Sequence, residues 1–376
     1  MKYYVIAGEP SGDLHASNMM RELLKLDSSI NFRFWGGDLM EQVTHVKPTK
    51  HIKDLAFMGF VEVAKNIRTI LKNISFCKQD ILNFKPDVLI LIDYPGFNLR
   101  IADWAKQQGI RVLYYISPTI WAWKENRVEI VKRACEKMFV ILPFEVDVYK
   151  KHHYNADYVG HPLLDAIEQE KHKLPSREDF IKTNQLSNKP IIAVLPGSRK
   201  QEIERMFSIM LDAINQFKDY QFVIAGTTNL PNEAYKIAYD KNIKVVFNQT
   251  YALMHNAHAG IIKSGTSTLE SALFRLPQVV CYKGGAVSFA IAKMVVGDRL
   301  KYISLPNLIL DKPVVKELIQ DELTPENLTT ELNNIISGAE RERILNDYDV
   351  LIKLLGNSGA SKKVAELIYN HINAKA

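Results

Sequence analysis

The sequence is poor in cysteine, with three in 376 residues. Cys77, Cys135 and Cys281 are far apart, odd in number and without metal or redox spacing. That excludes a disulfide scaffold and fits a reducing compartment. Long apolar runs are also missing. Val88–Ile92 is short enough to be a buried strand and Ala286–Val296 is cut by Lys293, so no membrane span is expected. Glu9 and Asp13 fall where a signal peptide needs an apolar core, so no export signal is expected. There is no low-complexity tract, no short repeat and no arginine-rich arm, and a nucleic-acid partner is not expected. His255 and His258 have helical spacing but no carboxylate or cysteine nearby in sequence. A metal site is therefore not expected, and no cofactor is expected.

What is present is ordinary globular composition, 47% hydrophobic and 24% charged. The length exceeds what a single core usually supports, so two domains are expected. The net charge of +6 suits anionic ligands such as nucleotides, phosphates or an acidic lipid surface.

Short β-branched runs alternate with helical patterns. Tyr3–Ala7, Asn31–Trp35, Asp87–Ile92, Arg111–Ile116 and Lys137–Leu142 read as strands, and His15–Lys25 as the first helix. This rhythm argues for a parallel sheet covered by helices on both faces. Glu168–Lys189 is polar, carries Pro175 and is the best linker. The rhythm then restarts at Ile191–Leu195, Gln221–Ala225, Lys244–Phe247, Gly260–Lys263 and Gln278–Tyr282. From Pro325 onward the pattern is helical, broken at Gly338 and Gly356. The expected organisation is an α/β chain of two Rossmann-like lobes facing a cleft: a first lobe over 1–170, a second over 188–325 and a helical tail over 326–376.

Ligand sites in such sheets lie beyond the carboxyl ends of strands, and the motifs fall there. Gly8-Glu9-Pro10-Ser11-Gly12-Asp13 follows the first strand. Small residues let backbone approach a ligand, and a helix start offers free N–H groups. A tight turn with Asp13 as helix cap explains the same residues. Asp93 ends the most apolar strand, where desolvation raises a carboxyl pKa and makes a usable base. A turn acid held by local N–H groups is the bland alternative. Leu195–Ile203 places Gly197 and Ser198 in a loop able to wrap an anion, with Arg199 as a planar fork for a diphosphate. Glu202 is a weaker candidate, since the helix dipole alone favours an acid there. Lys263–Glu270 runs from strand end to helix start, so Ser264, Gly265 and Thr266 are phosphate candidates. Ser267 and Glu270 match a capping box, which explains Glu270 without a ligand. The Trp121 and Trp123 stretch is read as core or as a sugar-stacking surface.

GEPSGD at Gly8–Asp13, MGFVEV at Met58–Val63, KPDVLILIDYPGFN at Lys85–Asn98 and SPTIWAWKENRV at Ser117–Val128 resemble lipid-A-disaccharide synthases. So do VGHPLLD at Val159–Asp165, LPGSRKQEI at Leu195–Ile203, SGTSTLE at Ser264–Glu270 and LPN at Leu305–Asn307, all in order from residue 3 to about 310. The resemblance implies an inverting GT-B-type transferase without a metal. It would join UDP-2,3-diacylglucosamine to 2,3-diacylglucosamine 1-phosphate, giving a β-1,6-linked disaccharide 1-phosphate and UDP. It implies that Arg199 and Ser264–Thr266 contact the diphosphate, Glu270 the ribose and Asn307 the nucleotide, with Asp93 as base. One departure is Gly96, where an acid is common in the family; Asp93 is left as the only acid in its turn.

Two alternatives stay open in the sequence. Another UDP-sugar GT-B enzyme, such as an epimerase or a polyprenyl-linked transferase, shares the SGTSTLE-like loop, while GEPSGD and IDYPGFN argue against it. A non-catalytic nucleotide- or lipid-binding protein would bind without turnover.

Acylated substrates imply a cytoplasmic protein peripheral to the inner face of the inner membrane. Leu55–Val61 is apolar and includes Phe57, Met58 and Phe60, and Lys65, Arg68, Lys72 and Lys78 follow, interleaved with Ile67, Ile70, Leu71 and Ile74. That pairing is what interfacial binding uses, so this segment is the expected docking surface. The sequence gives no oligomeric state, and a homodimer is compatible with it.

Overall fold

The structure, a computed structural model, describes residues 1–55, 67–121, 125–285 and 301–374. The chain divides into two compact units, one of Met1–Asp165 with Asn357–Ala376 and one of Ala166–Gly356.

The first unit carries a sheet of order β3-β2-β1-β4-β5-β6-β7. Its strands are β1 (Lys2–Ala7), β2 (Asn31–Gly36), β3 (Lys50–His51), β4 (Val88–Ile92), β5 (Val112–Tyr115), β6 (Lys137–Val140) and β7 (Asp157–Tyr158). Every pairing is parallel. β4 is buried along its whole length, as its unbroken Val-Leu-Ile-Leu-Ile run requires of a strand covered on both faces. Alternation of side chains puts Tyr4, Ile6, Leu89, Leu91 and Tyr114 in one core layer, and Tyr3, Val5, Ile90, Ile92 and Tyr115 in the other.

The helical tail over 326–376 is present as three helices, and it is shared between the two units. Helices Pro325–Ile336 and Gly338–Leu355 belong to the second unit, and the last helix, Ala360–Asn373, returns to the first. Val364, Ala365, Ile368 and Ile372 form an apolar stripe inside the second core layer of the first unit. Each Val or Ile so buried contributes about 1.5–3 kcal/mol. The buried carboxylate of Asp165 accepts hydrogen bonds from the N–H groups of Gly359, Ala360 and Ser361 and caps this helix.

The second unit repeats the plan with order β10-β9-β8-β11-β12-β13. Its strands are β8 (Ile191–Leu195), β9 (Gln221–Gly226), β10 (Lys244–Phe247), β11 (Ala259–Lys263), β12 (Gln278–Tyr282) and β13 (Glu317–Ile319), again all parallel. In both sheets the chain winds outward to one edge, then crosses back to continue on the other side of the starting strand. The reversal falls between β1 and β4 in the first unit and between β8 and β11 in the second. Loops at such a reversal diverge to opposite faces and leave a crevice beyond the strand ends.

Candidate active site

The loops that follow β1 and β4 meet at the reversal of the first sheet. Residues Gly8 and Glu9 lead into a helix that already begins at Pro10, so Ser11, Gly12 and Asp13 lie in its first turn rather than in a loop. Proline at that position sets the helical φ and gives up an N–H that has no partner there anyway. Asp13 is not the cap of its own helix. Its buried carboxylate accepts from the N–H groups of Gly37 (2.7 Å), Leu39 (3.1 Å) and Met40 (3.2 Å), and so caps the helix Asp38–Thr44. Asp13→Ala leaves three backbone donors, two of them buried, without that acceptor. We expect a loss of about 2–4 kcal/mol in stability, read as a lower denaturant midpoint, with UDP affinity of the folded protein unchanged.

Asp93 sits where β4 ends, and both it and Tyr94 are left-handed, with φ of 44° and 49°. Two such non-glycine residues in a row are costly, and strain of that kind gathers at functional sites. The turn is held from below. The Asp93 carbonyl accepts from Tyr114 Oη at 2.6 Å and from Asn98 Nδ2 at 2.8 Å, and the Asp93 N–H donates to the Tyr115 carbonyl at 3.0 Å. Its backbone is thus committed to holding the turn, and its carboxylate accepts from the Tyr94 N–H. A Cβ on Gly8 would overlap the Tyr94 ring, so glycine there lets the two loops approach.

Burial pushes the Asp93 carboxyl up to about 6, helped by the nearby Glu9 carboxylate and opposed by the Tyr94 N–H and Arg127. Glu9, on the neighbouring loop, is thus the carboxylate that acts on Asp93 from outside its own turn. Gly96 itself faces open space, with no heavy atom within 4 Å of where a Cβ would stand.

Further along the same strand ends, Trp121 is half-buried, packs edge-on against Phe144 and donates to buried Glu145 at 3.3 Å. Trp123 lies outside the described residues.

In the second unit, both candidate phosphate loops flank the reversal between β8 and β11. They open on a cavity of about 190 Å³ lined by Gly197, Ser198 and Glu202 from one side and Lys263, Gly265, Thr266 and Ser267 from the other. Arg199 is the exposed first cap of the helix Lys200–Asp212. Glu202 turns back to accept from the N–H groups of Ser198 (3.2 Å) and Arg199 (3.3 Å).

The expected capping box at Ser267 and Glu270 is not formed. The helix Thr266–Leu273 starts two residues earlier, behind Gly265, with no side-chain cap on its N-terminus. Glu270 accepts from Tyr251 Oη at 2.9 Å and also from the Ser267 side chain, and burial holds its carboxyl above the ordinary range. Tyr251 follows Thr250 on the cavity wall. Ser264 is buried, with Oγ donating to the Ile303 carbonyl at 3.1 Å. Asn307 is also buried and its amide is committed. It donates to the Val315 carbonyl and to Glu317, both at 2.9 Å, and accepts from the Val315 N–H at 2.8 Å. Asn307 borders a second cavity of about 770 Å³, separate from the lining of the first.

Sequence reasoning missed Arg127, Lys263, Tyr251 and Glu145. Arg127 and Lys263 lie inside quoted motifs, but only tertiary structure sets one beside Asp93 and the other opposite Glu202.

In the docking segment, Phe57, Met58 and Phe60 lie outside the described residues. Leu55 is buried, and so is Ile74 on the helix Ile67–Phe84 that follows; both belong to the core. Lys78 stands over the Trp104 ring rather than free in solvent. Arg68, Leu71, Lys72 and Phe76 remain exposed on that helix.

Two doubly wound parallel sheets in one chain, each with its polar loops gathered at a reversal, define the GT-B class. Solved structures agree on the fold. A UDP-GlcNAc 2-epimerase from Neisseria meningitidis matches at TM-score 0.68 and 16% identity, over 98% of this chain and 100% of that one. The calicheamicin glycosyltransferase matches at 0.60 and 13%, over 100% and 99%. The chain matches the family described as lipid-A-disaccharide synthetase over residues 3–370. Lipid-A-disaccharide synthases from Coxiella burnetii and Geobacter metallireducens are 34% and 33% identical to it, over 98% and 99% of this chain and 98% and 97% of theirs. The chain belongs to the lipid-A-disaccharide synthase family, and is a glycosyltransferase.

Proposed function

We propose that the chain transfers the 2,3-diacylglucosaminyl group of UDP-2,3-diacylglucosamine to 2,3-diacylglucosamine 1-phosphate, with inversion. The acceptor hydroxyl attacks the anomeric carbon, the bond from that carbon to the UDP oxygen breaks, and the hydroxyl proton passes to Asp93. The observation that carries the reading is the Asp93 turn. It places a desolvated carboxylate, with its pKa lifted toward neutrality, at the reversal of the first sheet in a chain of this family.

The second unit is assigned the UDP-sugar. Arg199 and the uncapped N-terminus of the helix Thr266–Leu273 meet the charge that develops on the leaving diphosphate, so no metal is given a role. Gly197, Ser198, Gly265 and Thr266 supply close-approaching backbone. Glu270, held by Tyr251, is the ribose candidate. Asn307 and Ser264 act by shaping the segment beside β11, because their side chains are already bonded within the unit. Gly8 and Glu9 are assigned to the acceptor. Release of UDP from the acylated donor should require the acylated acceptor. Release without acceptor, or epimerised donor recovered in its place, would point away from transfer.

No helix among the described residues is long and apolar enough to cross a membrane. We assign the amphiphilic substrates to a bilayer surface reached through Phe57, Met58 and Phe60, with exposed Leu71 and Phe76 as apolar and Arg68 and Lys72 as basic residues of the helix Ile67–Phe84 that follows in sequence. Changing Phe57, Met58 and Phe60 together to Ser should lower co-sedimentation with anionic vesicles and raise the apparent KM for vesicle-borne acceptor. Loss of the cooperative melt in that variant would place these side chains in the core instead. A homodimer of this chain is part of the same proposal, checked by sedimentation.

A further inference from the structure

The donors that a diphosphate would use in the second unit already hold an anion of the protein's own. Lys263, the last residue of β11, points its ammonium at Glu202, with Nζ 2.8 Å from Oε1. Both side chains are mostly buried, at 22% and 17% exposure, so the pair is only partly screened by solvent. The other oxygen of Glu202 takes the N–H groups of Ser198 and Arg199. Gly197, at φ 110°, has no room for a Cβ because Glu202 fills that space. One carboxylate thus collects an ammonium and two backbone N–H groups, all at the rim of the cavity between the two phosphate-type loops. Ammonium and clustered N–H groups are what a phosphate oxygen seeks.

We propose that Lys263 is a diphosphate-binding residue and that Glu202 is its resident counter-ion, a placeholder that the diphosphate of the incoming nucleotide displaces. The proposal rests on the assignment of a UDP-sugar to this unit. A diphosphate carries more negative charge than one carboxylate, so it competes well for these donors. It also repels Glu202, so the two cannot share them. Glu202 therefore opposes nucleotide binding, although it stands in the middle of the nucleotide motif. In the empty site it spares Lys263 from being a buried, unpaired charge.

A placeholder and a purely structural carboxylate differ in the sign of their effect. If Glu202 only caps its helix and steadies Lys263, removing its charge leaves UDP affinity level or lowers it. If it is a placeholder, Glu202→Gln keeps the shape and an accepting oxygen but tightens UDP binding. The experiment is UDP titration by calorimetry on the full chain and its variants, each first checked for a cooperative melt. We expect Lys263→Gln to weaken UDP about tenfold, Lys263→Arg to recover most of that, and Glu202→Gln to tighten UDP about threefold or more. The double variant Glu202→Gln, Lys263→Gln should lose the gain, because the released ammonium is what produces it. UDP affinity unchanged in Lys263→Gln overturns the proposal, as does unchanged or weaker binding in Glu202→Gln. If Glu202→Gln does not fold, the contrast between Lys263→Gln and Lys263→Arg still decides whether the ammonium meets the nucleotide. A parent protein that melts cooperatively yet binds no UDP overturns the functional reading itself, which is a distinct result.

Discussion

Asp93→Asn is expected to lower turnover by about 10²–10⁴ while leaving UDP affinity near that of the parent. Asparagine matches the shape of the carboxylate and keeps the turn, since the bonds that hold the turn come from the backbone of residue 93. What is lost is the proton acceptor. The same group sets the pH profile. Burial and Glu9 raise the Asp93 pKa to about 6, and the base is the ionised form. Activity is therefore retained above that value and lost as pH falls through it. The acid limb of kcat/KM should have an apparent pKa near 6, and the residual rate of Asp93→Asn should lack that limb. Near-parental turnover in Asp93→Asn would remove Asp93 from the chemistry.

Arg199→Ala should weaken UDP binding by about tenfold to a hundredfold. The guanidinium offers a planar fork to a diphosphate, and no other arginine lies in either loop around the cavity. Arg199→Lys keeps the charge but loses the fork, so it should fall between parent and Ala. The backbone N–H of residue 199 still donates to Glu202 in either variant, so the helix start survives. Calorimetry with UDP reads the effect directly. Parental affinity in Arg199→Ala would make this loop a structural turn.

The strands that position these residues are legible in the sequence because a fully buried parallel strand writes itself as an unbroken apolar run, as at Val88–Ile92 and Ile191–Leu195. The short strands at Lys50–His51, Asp157–Tyr158 and Glu317–Ile319 are not, since two or three residues carry no period. The first helix begins earlier than expected because Pro10 and Gly12 look like loop residues. Proline tolerates a helix start, and Gly12 is there to let the helix pack on Ala7. The last helix shows its apolar stripe in the sequence, but its destination depends on a cap from Asp165, 194 to 196 residues away.

The same limit applies to the sites. Asp93, Arg199 and the Ser264–Thr266 loop can be named from their places at strand ends. The Glu9 carboxylate beside Asp93 and the Lys263–Glu202 pair cannot, because each joins loops that only the sheet order makes neighbours. Asp13 and Glu270 depart from expectation for a related reason. A local pattern gives each a plausible cap, while the helix at Asp38 that Asp13 holds and the Tyr251 hydroxyl that Glu270 accepts from come from elsewhere in the fold.

The most direct test is to give the purified chain both acylated sugars and follow UDP and the sugar product together. The expected result is one UDP per disaccharide, a β-1,6 linkage by the anomeric proton coupling in NMR, and loss of both products in Asp93→Asn. Binding of UDP with no disaccharide formed, or a disaccharide with the donor's anomeric configuration retained, would contradict it.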